Sequence, residues 1–153
     1  YNLYNVDKAK SFFKSCIDQY NTVVDKQITA SLKNLKLGSW DAIEAYFEET
    51  TLNVKNKHRS MGCLLVNSVC ESINYDKEMR KVVRGSLAVI RKALLARLKE
   101  AYKNGKLKKG VSAEFAAEVL MNSLHGIRVN SRDGKTPKQL KELIKFSVSS
   151  LKK

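Results

Sequence analysis

The stretch RSMGCLLVNSVCES, Arg59 to Ser72, sets the reading of the whole chain. Gly62, Cys63, Val66, Val69, Cys70 and Ile73 recur at intervals of three or four, which on a helix makes one apolar stripe. Leu64 and Leu65 widen the stripe, while Asn67, Ser68 and Glu71 interrupt it on another side. A helix this short and this apolar is expected to be enclosed by its neighbours. A buried core helix and the wall of a ligand pocket both satisfy the pattern, and the choice between them depends on the surrounding chain.

Working outward, the 153 residues suit one domain, large enough to withdraw roughly two-thirds of its unfolded surface from water. Three cysteines, Cys16, Cys63 and Cys70, make an odd count without a CxxC pair, and no apolar N-terminal run reads as a secretory signal. A reduced, cytoplasmic setting is expected. No window is long and apolar enough to cross a bilayer, so no membrane span is expected. One proline and seven glycines leave few breaks, which favours long helices and an all-α fold.

The formal net charge is +14, and most of the excess lies between Lys77 and Lys109, where twelve Lys or Arg face only Glu78 and Glu100. Such a run is either a solvated helix face or a surface that attracts nucleic acid or anionic lipid in a salt-dependent way. Aromatic residues do not interleave with these cations, which argues against base stacking.

Taken in order, the chain reads as a series of helices. Asp7 is placed as the cap of a helix of about 30 residues that carries Phe12, Phe13, Cys16, Ile17, Tyr20, Val23, Val24, Ile28, Leu32 and Leu35 and stops at Gly38. Ser39 caps a second, acidic helix with Ile43, Tyr46, Phe47, Thr50 and Val54 on one face. Its Asp41, Glu44, Glu48 and Glu49 are expected to pair with the basic helix downstream. Asp76 caps that basic helix, Lys77 to Asn104, which Gly105 ends. Ser112 opens a helix with apolar residues around most of its circumference. Thr136, Pro137 and Gln139 combine a capping box with proline at the first helical position of the last helix. One small core cannot absorb both of these last helices, so they are expected to pair with their copies across a two-fold axis as a four-helix interface.

Chemistry is sparse. HExxH, CxxC, GxGxxG, GxxxxGK and GxSxG are all missing from the sequence. His58 and His125 fall on different helices with no carboxylate at ligand spacing, so no metal site, cofactor or enzyme activity is expected. His125 reads either as a hydrogen-bonded core residue or as a ligand contact. Cys63 and Cys70, seven residues apart and so on one helix face, read as inert buried thiols or as redox-sensing residues.

The motifs together resemble the C-terminal regulatory domain of a TetR-family transcriptional repressor. RSMGCLLVNSVCES resembles the family's G-C-L-(two or three apolar)-N-(S/T)-x-x-E helix. ARLKEAYKNGKL, Ala96 to Leu107, resembles its L-x-x-A-x-x-x-G-x-L helix end, and LHGIRVNSRDG, Leu124 to Gly134, its (L/H)-G-(L/I)-R-V interface helix. The opening YNLYNVDKAKSF resembles the junction that follows the recognition helix, with Ser11 in place of the usual leucine.

The resemblance implies an all-α bundle of about six helices that dimerises through the last two, with about fifty preceding residues forming a helix-turn-helix. Residues 1–6 are then the tail of that missing domain, and 7–153 the effector-binding and dimerisation domain. It implies a small hydrophobic or aromatic effector in a pocket walled by Phe13, Ile17, Tyr20, Tyr46, Phe47, Thr50, Met61, Leu65, Val69, Leu94, Met121 and His125. The interface falls on Phe115, Val119, Asn122, Ser123, Gly126, Ile127, Asn130, Leu140, Ile144, Ser147 and Val148. Effector binding shifts the DNA-reading heads and releases operator DNA. The rival reading is a stand-alone basic helical module that binds an anionic partner or surface.

Overall fold

Three of the five helix-start signals read from the sequence become hydrogen bonds in the computed structural model, which describes residues 3–53 and 64–153. Among the described residues there are six α-helices, α1 Leu3–Ala30, α2 Ser39–Thr51, α3 Leu64–Cys70, α4 Lys77–Lys103, α5 Ala113–Arg132 and α6 Pro137–Ser149, with a 3₁₀ turn at Ser72–Asn74. The described residues form no strand, and the fold is all-α. A single antiparallel bridge, Leu107 with Lys152, ties the α4–α5 connection to the C-terminal end.

Three helices begin as expected. The Asp76 carboxylate accepts from the Met79 amide at 2.9 Å, and the Ser112 hydroxyl from the Phe115 amide at 3.1 Å. At α6 the Gln139 amide donates to Thr136 Oγ1 at 3.3 Å and the Thr136 amide to Gln139 Oε1 at 2.9 Å, with Pro137 inside the first turn. Each such cap satisfies amides that have no partner within the helix, at about 1 kcal/mol apiece. Gly105, at φ 65°, ends α4 in a conformation that side chains resist.

Three boundaries differ from expectation. Helix α1 is already helical at Leu3, so Asp7 lies inside it and caps nothing. It also stops at Ala30, well short of Gly38, because the next carbonyls are taken elsewhere: Lys33 N turns back to Ile28 O at 2.9 Å, and a side chain from α4 claims those further on. For α2 the cap position is Gly38, and Ser39 is the first helical residue.

Helix α4 forms the centre, packing against α1, α2, α3 and α5, while α6 closes the bundle on α2 and α5. The core runs through Ile17, Val24 and Ile28 of α1, Ile43, Tyr46 and Phe47 of α2, Leu65 of α3, Ile90, Leu94 and Leu98 of α4, and Leu120 and Leu124 of α5. Fully burying such side chains stabilises by about 1.5–3 kcal/mol each. The acidic side of α2 does not meet α4 as expected. Glu44 instead pairs with Lys152 at 3.3 Å, and that ammonium also sits 5.9 Å from the Trp40 ring centre.

The described part of the opening stretch is a short helix in another register. Leu65 and Ser68 face inward, while Val69 is 43% exposed and Cys70 lies at the surface. Ile73 belongs to the 3₁₀ turn rather than the helix. His58, Met61, Gly62 and Cys63 lie outside the described residues.

Candidate functional site

The residues expected to wall a pocket divide three ways. Ile17, Tyr46, Phe47, Leu65, Leu94 and Met121 are all buried in one continuous core drawn from α1 to α5. Phe13 and Tyr20 are partly buried against that core, and Phe13 meets Tyr75 edge-to-face at 5.2 Å between ring centres. Thr50 is buried, but its hydroxyl donates to Phe47 O of its own helix at 3.3 Å. Val69 is the exception and points to the surface, a consequence of the register of α3. Met61 lies outside the described residues.

His125 is half-buried on α5, and its buried Nε2 has no hydrogen-bond partner among the described residues. Burial first, then the charges of Arg128 and Arg91, hold the imidazole pKa below its ordinary value. The ring is therefore neutral at neutral pH, with one donor and one acceptor nitrogen to offer. A group depressed in this way binds fewer protons folded than unfolded. Its contribution to stability is intact above the unfolded pKa near 6.5 and is lost as pH falls from there through the folded value. The stability difference between wild type and His125→Gln should shrink as pH is lowered from about 7.5 to 5.5 in urea titrations. Parallel curves would show that His125 does not titrate differently on folding.

The last two helices carry two kinds of apolar residue. Leu140, Ile144 and Val148 of α6 and Ile127 of α5 are buried within their own chain, which corrects their assignment to an interface with a partner. Helix α6 packs on α2 and α5 of the same chain. The exposed surface is instead a pair of uncharged stripes. On α5 it runs through Phe115, Asn122, Gly126 and Val129, with Val119 half-buried between them, and on α6 through Gln139, Leu143 and Phe146 to the cap residue Ser150. Phe115 is 61% exposed and Phe146 75%. Ser123, Asn130 and Ser147 are half-buried beside these stripes. Gly126 leaves open space where a side chain would stand, so it flattens the middle of the α5 stripe.

One residue that organises the bundle was hidden in the basic run. Arg97 is only 6% exposed, and its guanidinium donates to three backbone carbonyls of the α1–α2 connection. Nε reaches Leu32 O at 2.6 Å, Nη2 reaches Asn34 O at 2.7 Å, and Nη1 reaches Leu37 O at 3.2 Å. Nη1 also pairs with Glu100 at 3.0 Å. Its position among the buried residues Leu94, Leu98 and Ala101 on the inner face of α4 was the available sequence signal. At the other end of α1, Lys10 pairs with Asp76 and Lys14 with Glu78, tying α1 to the start of α4. An open groove of about 880 Å³ lies there, with Val6, Phe12, Phe13, Leu64 and Met79 among its lining.

Among the described residues no group of His, Cys, Asp or Glu is placed to hold a metal ion, and no helix is long and apolar enough to cross a membrane. No curated protein sequence matches the chain. Two solved structures share the fold. A regulatory protein TetR from Rhodobacter sphaeroides is 16% identical with a TM-score of 0.80, over 92% of this chain and 74% of its own. A TetR transcriptional regulator from Chloroflexus aurantiacus J-10-FL is 15% identical with a TM-score of 0.70, over 89% of this chain and 70% of its own. Residues 39–146 match the family described as "Tetracyclin repressor-like, C-terminal domain", a span that runs from α2 into α6. With most of its length inside that match, the chain belongs to the Tetracyclin repressor-like C-terminal domain family, and its helices share the fold of these two structures.

Proposed function

We propose that this chain is the effector-binding and dimerisation domain of a cytoplasmic DNA-binding repressor, regulatory rather than catalytic. A small hydrophobic or aromatic molecule bound in the bundle changes the placement of α1 and so relieves repression. The carrying observation is the pair of exposed uncharged stripes on α5 and α6, which suits an isologous homodimer. A dimer carries two copies of α1, whose separation a ligand can alter. Operator DNA is then reached through a helix-turn-helix domain preceding residue 7, a reading supported by the greater length of the two similar regulators. The open groove at the start of α1, with Phe12 exposed, is a surface such a domain would cover.

His125 supports the effector reading, because a neutral imidazole whose buried nitrogen has no partner among the described residues offers a polar anchor on α5. Thermal-shift screening against small aromatic and hydrophobic compounds tests it. A compound at one hundred times its dissociation constant should stabilise by about 2.7 kcal/mol, a rise of roughly 5–10 °C for a domain of this size. The rise should shrink in His125→Phe. Compounds that stabilise both proteins equally, or a broad library with no stabilising compound, would contradict a pocket anchored by His125.

A further inference from the structure

We propose that the N-terminal half of α4 is a phosphate-binding ridge, in which Lys77, Arg80, Lys81 and Arg84 hold the backbone of duplex DNA without reading its bases. The inference rests on the reading of the chain as part of a DNA-binding regulator, but it concerns a surface outside any helix-turn-helix.

All four side chains are exposed, and their spacing of three and four places them along one side of the helix. None has a carboxylate partner among the described residues. The C-terminal half of the same helix is different. There Arg91 pairs with Glu118 at 2.8 Å, Lys99 with Glu114 at 3.5 Å and Arg97 with Glu100 at 3.0 Å. Three of the five cations in that half are thus paired, against none of the four at the start of α4.

Stability does not account for that arrangement. The start of a helix carries the positive end of its dipole and favours anions, whereas cations placed there, and like charges three or four apart, are destabilising. The two nearby carboxylates that would offset them, Asp76 and Glu78, are engaged by Lys10 and Lys14 of α1. An anionic partner resolves the conflict. From Lys77 to Arg84 the ridge runs about 10 Å, over which a duplex presents roughly six negative charges. It carries no aromatic residue for stacking on unpaired bases, and no exposed Trp, Phe or Leu to enter a bilayer. Through the α1 ion pairs it also lies at the end of the bundle where α1 begins.

The test uses the chain as it stands and fluorescence anisotropy of a labelled duplex of arbitrary sequence, with single-stranded oligonucleotide and phosphatidylserine vesicles in parallel. Raising salt from about 50 to 200 mM should weaken duplex binding roughly a hundredfold, as expected for about four neutralised phosphates. The variant K77Q/R80Q/K81Q/R84Q should bind at least roughly tenfold more weakly at the lower salt and show a shallower salt slope, and Arg84→Gln alone should reduce the slope by about one. The control K33Q/K36Q/K106Q/K108Q removes the same charge near the other end of α4 and should keep the wild-type slope. Equal losses in the two quadruple variants, no duplex binding, or preference for vesicles or single strands would each overturn the ridge. No effector or operator enters the assay, so its failure would leave the regulatory reading standing.

Discussion

Replacing Arg97 with alanine is expected to destabilise the domain by about 3–5 kcal/mol, the largest loss from any single polar side chain described here. The guanidinium supplies the partners of Leu32 O, Asn34 O and Leu37 O, and its own burial is compensated only by those carbonyls and Glu100. Truncation leaves several acceptors under-satisfied and opens a cavity between α4 and the α1–α2 connection. Each buried acceptor left without a donor costs about 1–3 kcal/mol. Arg97→Lys should recover little, since an ammonium cannot present a planar fork to three separated carbonyls. Urea denaturation measures the loss directly, and the melting temperature should fall by about 6–15 °C. A change within about 0.5 kcal/mol, as expected for exposed Lys103, would mean that the clamp is not stabilising.

The second large effect is on assembly. Phe146→Glu is expected to weaken the proposed dimer by about 2–4 kcal/mol, or roughly thirty- to a thousandfold in dissociation constant. Phe146 is 75% exposed within a single chain and contributes nothing to its core. The substitution therefore separates assembly from folding: thermal stability of the dissociated chain should match that of dissociated wild type. Ile144→Glu makes the contrast, because Ile144 is fully buried and a carboxylate there should unfold the chain itself.

Sequence made much of this architecture legible, and local chemistry explains which parts. Asp76, Ser112 and the Thr136–Gln139 box act through bonds spanning three residues, so their reading needs no tertiary context. The end of α1 needed such context, since the carbonyls that leave the helix are taken by Arg97, some sixty residues away. The register of α3 turned on the same kind of information. Its apolar residues surround the helix, and only the position of α4 decides that Ser68 turns inward and Val69 outward. Helix α6 carries one stripe through Leu140, Ile144 and Val148 and another through Leu143 and Phe146. Periodicity finds both, but which one meets its own bundle depends on α2 and α5. For the candidate pocket, the buried residues of α1, α2, α4 and α5 were recognisable as apolar helix positions. That His125 Nε2 has no partner among the described residues emerged only from the assembled bundle.

The proposed dimer rests on the exposed stripes of α5 and α6 as a self-complementary interface. Sedimentation equilibrium of the wild-type chain and of Phe146→Glu, over micromolar concentrations, tests it. Wild type should sediment at twice the 17.3 kDa of one chain and Phe146→Glu as a folded monomer. Monomeric wild type throughout that range, or a dimer indifferent to the substitution, would contradict it.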